Sequence, residues 1–220
     1  MKNLLILLVF LILASCGQNQ KSEETQAEEP VEQGSITDDF VVHNRNITEY
    51  NDGKEGIELD AADGDGMAWL KDATFTTGTI EFDVKGENVR GKSFVGVAFN
   101  GKDNENFEAI YFRPFNFLAD NQDNRDHMVQ YIHHPEFTWS KLREERTLEF
   151  ETEIQDPPDP DGWFHAKVEV TSDSVKVYLD ERPDAILKVE RLSSYSATDI
   201  GYWVGFGSSG RFANLVVKGD

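Results

Sequence analysis

Gly78-Thr79-Ile80-Glu81-Phe82-Asp83-Val84-Lys85 alternates apolar and polar residues over its whole length. Successive side chains of a strand point to opposite faces, so Ile80, Phe82 and Val84 share a buried face while Thr79, Glu81, Asp83 and Lys85 share a wet one. Trp163 to Val170 repeats the device, with Phe164, Ala166, Val168 and Val170 on one side and Trp163, His165, Lys167 and Glu169 on the other. Val175, Val177 and Leu179 do the same. Ser93 to Phe99, Phe107 to Phe115, Met128 to Ile132, Gly201 to Phe206 and Phe212 to Val217 extend the series. Turns such as Asn51-Asp52-Gly53, Lys85-Gly86 and Asp161-Gly162 separate these strands, and only Ser140 to Arg146 carries helical periodicity. The pattern predicts an all-β fold, an antiparallel two-sheet sandwich over residues 36–220.

The amino terminus reads differently. Lys2 precedes an unbroken apolar run of ten residues, Leu4 to Leu13, and Leu13-Ala14-Ser15-Cys16 follows. A permanent membrane helix needs about 20 apolar residues, so this run reads as a cleaved signal at 1–15. The segment resembles the lipobox of bacterial lipoprotein precursors. That resemblance implies cleavage before Cys16, acylation of its sulfur and amine (a palmitate-type modification), and attachment to a membrane. Gly17 in place of aspartate implies the outer membrane of the cell envelope. Residues 17 to 35 hold five glutamates and one lysine, with Ala27 and Val31 as their only aliphatic side chains. Such a segment cannot bury enough apolar area to offset its chain entropy, so residues 16–35 are expected to form a lipidated, disordered acidic tether.

Acidic residues outnumber basic ones 41 to 21, a formal charge of −20, and loss of residues 1–15 removes only Lys2 from the charged set. This excludes binding that depends on neutralising phosphates, so nucleic acid is not an expected partner. Polyanionic glycans should be repelled as well, unless a local patch reverses the field. A single cysteine closes no intramolecular disulfide. No glycine-rich phosphate loop follows a strand and no serine nucleophile motif is present, which argues against nucleotide-dependent and acyl-transfer chemistry.

Taken together, Gly78 to Val84, Phe94-Val95-Gly96-Val97-Ala98-Phe99, Tyr111-Phe112-Arg113-Pro114-Phe115, Val129-Gln130-Tyr131, Gly162-Trp163-Phe164-His165 and Phe212-Ala213-Asn214-Leu215 resemble the concanavalin A-like lectin and glucanase superfamily. Within it the chain looks most similar to laminin-G-like jelly rolls and to bacterial domains related to 3-keto-disaccharide hydrolases. The resemblance implies a curved jelly roll whose concave sheet carries an oligosaccharide or polysaccharide. It leaves open whether the protein only binds a glycan or cleaves one as a hydrolase of the 3-keto-disaccharide or laminarinase-like type.

Alternation along Phe107 to Phe115 sends Ala109, Tyr111, Arg113 and Phe115 to one face and Glu108, Ile110 and Phe112 to the other. Tyr111 and Arg113 therefore project together, with Asn116 just beyond Pro114. Gln130 on a later strand, and Trp163 with His165 on another, would complete an aromatic and polar platform. Aromatic faces cover the C–H surface of a sugar while such polar groups satisfy its hydroxyls. Trp139 and Arg143 lie in a long connection and could clamp a ligand from the rim. For Arg113 a second reading stays open, as the partner of a carboxylate that fixes the sheet.

Glu81 and Asp83 resemble part of the acidic triplet of laminarinase-type hydrolases, but Lys85 stands where the third acid would be, and a plain wet face explains the pattern as well. Adjacent His133 and His134 point to opposite faces of a strand and cannot share one metal ion. Asp60, Asp63 and Asp65 resemble half of a calcium loop without the closing glutamate, so calcium is a secondary reading and no cofactor is expected.

Acylation needs the thiol of Cys16, so Cys16→Ser is expected to lose all labelling by an alkyne fatty acid. Equal labelling of variant and parent would refute the anchor.

Overall fold

A computed structural model describes residues 35–220; the signal segment, Cys16 and residues 17–34 of the tether lie outside them. The described residues form two seven-stranded sheets in which all neighbours are antiparallel. The first runs in the order β1 (Phe40–His43), β4 (Gly66–Leu70), β13 (Asp199–Val204), β6 (Val95–Gly101), β7 (Phe107–Phe112), β8 (Val129–His134), β9 (Glu151–Thr152). The second runs β12 (Leu187–Glu190), β11 (Ser174–Leu179), β10 (Trp163–Val170), β5 (Gly78–Lys85), β14 (Gly210–Gly219), β3 (Glu55–Leu59), β2 (Ile47–Asn51). Two short helices, α1 (Gln122–Arg125) and α2 (Trp139–Glu145), lie in the connections on either side of β8.

The alternating stretch at 78–85 is β5, at the middle of the second sheet between β10 and β14. Its register pairs Phe82 with Ala166 and Ile80 with Val168, so apolar side chains line up on one face. Rings then cross between the sheets. Phe112 and Phe117 meet Phe164 at 5.0 and 5.7 Å, and Tyr202 meets Phe82 and Phe212 at 6.4 and 4.5 Å between centroids. Full burial of each such ring contributes about 1.5–3 kcal/mol.

At one end of the sandwich the interior is polar. Glu108, fully buried, accepts hydrogen bonds from Asn100 at 2.5 Å and from the Tyr131 hydroxyl, and pairs with Arg191 at 3.0 Å. Burial first, and then the neighbouring carboxylate, push the Tyr131 hydroxyl far above its ordinary value. Asn100 also accepts from the Ala197 amide at 2.6 Å, and the Tyr131 hydroxyl accepts from Leu192 N at 3.1 Å. The cluster thereby fastens segment 191–198, which crosses from β12 in one sheet to β13 in the other.

Ser35, the first described residue, is tied to the folded part. Ser35 caps the short 3-10 turn Ile36–Asp39, accepting from Thr37 N at 3.2 Å, and its hydroxyl reaches Glu49 at 2.6 Å. A serine offers this cap because its side-chain oxygen meets an amide that the turn leaves unpaired.

Removing the Glu108 carboxylate leaves Arg191 without its counter-charge and Asn100 and Tyr131 without their shortest acceptor. Glu108→Ala is expected to lower stability by about 3–5 kcal/mol in urea denaturation, with Glu108→Gln, which keeps shape and one acceptor, costing less.

Candidate functional site

Because Phe112 and Tyr202 face the second sheet, their neighbours Tyr111 and Trp203 face away from it. Register places Met67, Trp203, Gly96, Tyr111, Gln130 and Glu151 in one row across five strand pairs of the first sheet. Gly96 sits between Tyr111 and Trp203, and their rings approach across it to 5.0 Å. A Cβ there would come within 2.0 Å of the Ile110 carbonyl oxygen.

Above this row lies a cleft of about 600 Å³. Its floor is Tyr111, Trp203, Ile132 and Arg113, and its lips are formed by α2, by the segment from Phe115 to His127, and by the turn at Gly205–Phe206. Trp139 opens α2 immediately after the cap Thr138, which accepts from Lys141 N, and it remains 50% exposed. Phe206 is 60% exposed on the other lip. Both are large rings left in water at the mouth of one cavity.

The floor is held by a buried polar network. Arg113, 4% exposed, donates to the Tyr111 hydroxyl at 2.6 Å, to Gln130 Oε1 at 2.5 Å and to the His127 carbonyl at 3.0 Å, and it pairs with Glu151 at 3.3 Å. Arg143, on α2, reaches the same carboxylate at 3.0 Å and lays its guanidinium 5.2 Å from the Trp139 ring centre. His127 Nδ1 is 2.8 Å from Glu151, without hydrogen-bond geometry, and burial holds its pKa below the ordinary histidine value. Burial also pushes the Tyr111 hydroxyl up to about 12, so it stays protonated and can donate to Gln130 at 2.6 Å. At the far end, burial raises the Asp65 carboxyl and lowers His134, whose ring stacks on Phe107 at 4.9 Å. Asn116 donates its amide to the His127 carbonyl at 3.1 Å, while its Oδ1 is buried without a partner, as is the indole N–H of Trp203.

The structure thus brings Tyr111, Asn116, Gln130, Trp139 and Arg143 together at one site around Arg113. Arg113 lines the cleft and it is also the buried partner of Glu151. Trp163 and His165 do not join this site. They lie on β10 in the second sheet, on its outward face, because that strand buries only Phe164, Ala166, Val168 and Val170. There Trp163 donates to Asp52 at 2.8 Å, and His165 Nδ1 meets Asp83 at 2.9 Å. Burial works to raise the Asp83 carboxyl, but hydrogen bonds from Lys54, Asn214 and His165 outweigh it and hold the group below the ordinary carboxylate range. Asn214 reaches Asp83 from a bulge in β14, where its φ of 53° is left-handed. The Glu81 and Asp83 pair is therefore part of a charged face with Lys54, Lys218 and His165, on the sheet that does not carry the cleft.

His133 and His134 do point to opposite sides. His133 is buried beside Phe137 and Tyr195, and His134 lines the cleft. In the aspartate-rich loop, Asn44 donates its amide to the carbonyls of Asp63 and Asp65, and Asp60 accepts from Asn46. Sequence reasoning missed Phe206, Trp203, Arg90 and Glu151. Phe206 had a readable signal, an aromatic ring between two turn glycines. Glu151, on a strand of two residues, had none.

The chain has the concanavalin A-like jelly-roll fold. It is similar in structure to the carbohydrate binding module CBM66 from Bacillus subtilis, with 19% identity and a TM-score of 0.56 over 80% of this chain and 93% of that one. A Bacillus subtilis protein of unknown function with a galectin-like fold gives 13% identity and a TM-score of 0.53, covering 81% and 88%. The Bacteroides ovatus mixed-linkage glucan GH16 protein, in complex with product, gives 10% and 0.51, covering 77% and 85%. At these identities the likeness is one of fold. No protein-family model and no curated protein sequence matches the chain.

Loss of Arg113 removes one of the two guanidiniums on Glu151, leaves the Tyr111 oxygen without its donor and leaves Gln130 Oε1 with the Tyr111 hydroxyl alone. Arg113→Ala is expected to cost about 3 kcal/mol of stability by chemical denaturation, at the low end for a broken buried pair because Arg143 remains. A change under about 0.5 kcal/mol would show that the network carries no load.

Proposed function

We propose that this protein is a glycan-binding module, presented at the cell envelope by a lipid on Cys16 and most naturally placed at the outer membrane. The observation that carries the binding reading is the pair of exposed rings, Trp139 and Phe206, on opposite lips of a cleft whose floor offers Arg113, Asn116, Tyr111 and Trp203. Exposed aromatic faces at a cavity mouth cost free energy in water and are suited to the C–H face of a sugar, while fixed polar groups below them read hydroxyl positions. Fold likeness to a carbohydrate binding module and to a mixed-linkage glucan GH16 protein supports a sugar ligand without distinguishing binding from cleavage.

The distribution of carboxylates favours binding. Ordinary glycoside hydrolysis needs two of them facing the scissile bond, one able to deliver a proton. Glu151 lies buried beneath the floor with both Arg113 and Arg143 paired to it, and Asp65 is the one carboxylate that lines the cleft among the described residues.

A glycan array read beside a reducing-sugar release assay tests this. Trp139→Ala and Phe206→Ala are each expected to weaken binding about twofold to tenfold, the value of one aromatic stack, with little change in melting because both rings are exposed. Sugar release by the parent protein that disappears in Asp65→Asn would replace the binding reading with the hydrolase one.

A further inference from the structure

The cleft has the opposite sign of charge from the molecule that surrounds it. Against a formal charge of −20 for the chain, the charged side chains of the lining are Arg90, Arg113, Arg143 and Asp65. Beneath the floor, Glu151 is the single carboxylate shared by Arg113 and Arg143, and neutral His127 adds nothing to the balance. Two guanidiniums held in a partly dry site by one anion leave a positive charge uncompensated. Arg143 gives its Nε and Nη2 to Glu151, while its Nη1 has no hydrogen bond among the described residues. Arg90, exposed at the rim, donates to Asn124 at 2.9 Å and keeps the rest of its fork in solvent. Two further groups in the lining are buried and unpaired, the Trp203 indole N–H and Asn116 Oδ1, each 4% exposed.

From these groups we infer that the site selects an acidic sugar, a glycan whose bound residue carries a carboxylate for Arg143 and Arg90 and hydroxyls that serve Trp203 and Asn116. The inference rests on the glycan-binding reading and deepens it. A planar carboxylate matches the fork of a guanidinium, and a charge-assisted pair of this kind is stronger than a neutral hydrogen bond. The acidic surface beyond the cleft sets a limit on the ligand. A long polyanion is repelled at distances of about 8–10 Å, the screening length of physiological salt, so the favoured ligand bears an isolated acidic residue on an otherwise neutral chain.

The test uses matched oligosaccharide pairs on gluco-, xylo-, galacto- and manno-configured neutral backbones. One member of each pair ends in glucuronate and the other in glucose, and binding is measured by calorimetry to the folded domain. On the backbone that binds, the acidic member is expected to bind at least tenfold tighter, and Arg143→Gln and Arg90→Gln are each expected to narrow that preference. Arg90 is exposed, so its variant retains the fold even if Arg143→Gln proves unstable. Equal or tighter binding of the neutral member on every backbone that binds would overturn the acidic-sugar inference and leave glycan binding standing. Failure of all pairs, acidic and neutral, together with a blank glycan array, would overturn both.

Discussion

β6 and β7 are buried at every residue, whereas β10 and β11 are buried only at alternate ones. A sheet covered on one face by its partner has its other face in water; the centre of the first sheet has both faces covered, and the rest of the molecule answers to that constraint. Something must lie over the outward face of Trp203, Tyr111 and Ile132, and α2, the segment after Arg113 and the turn at Phe206 do so incompletely. The gap they leave is the cleft. Burying Arg113 beneath it requires a counter-charge, which Glu151 supplies, and ties α2 to the sheet edge through Arg143. Covering a sheet and building a site are here one act.

This asymmetry also governs how far the sequence could be read. Strands with one wet face announce themselves by alternation, and Trp163 to Val170 emerges with its observed bounds. β6 and β7 carry apolar residues on both faces, yet their aromatic and β-branched content and flanking turns still mark them. β1, β2, β3, β4, β9 and β12 were not legible, because runs of two to five residues give too few periods to distinguish a strand from a loop. α2 emerged from Ser140 to Arg146, within a residue of its observed span Trp139–Glu145.

At the site, intra-strand geometry was legible and inter-strand geometry was not. That Tyr111 and Arg113 share a face follows from counting by two. That Gln130 joins them follows from β8 pairing with β7, which placed Gln130 opposite Tyr111. Trp163 and His165 satisfy the same count on their own strand, but alternation says nothing about which sheet a strand enters. Nor could sequence foresee Glu151, since its partners lie eight and thirty-eight positions away and only the fold brings them to one oxygen pair.

The outermost strands have a consequence of another kind. The four edges are β1, β9, β12 and β2, none longer than five residues, and Lys188, Glu190 and Glu49 stand exposed along two of them. An edge that short and that charged makes a poor template for strand addition by a second chain. Copies crowded at one surface would therefore meet along β12 and β2 without zipping together, and the second sheet, whose two borders these are, favours dispersal at high local density.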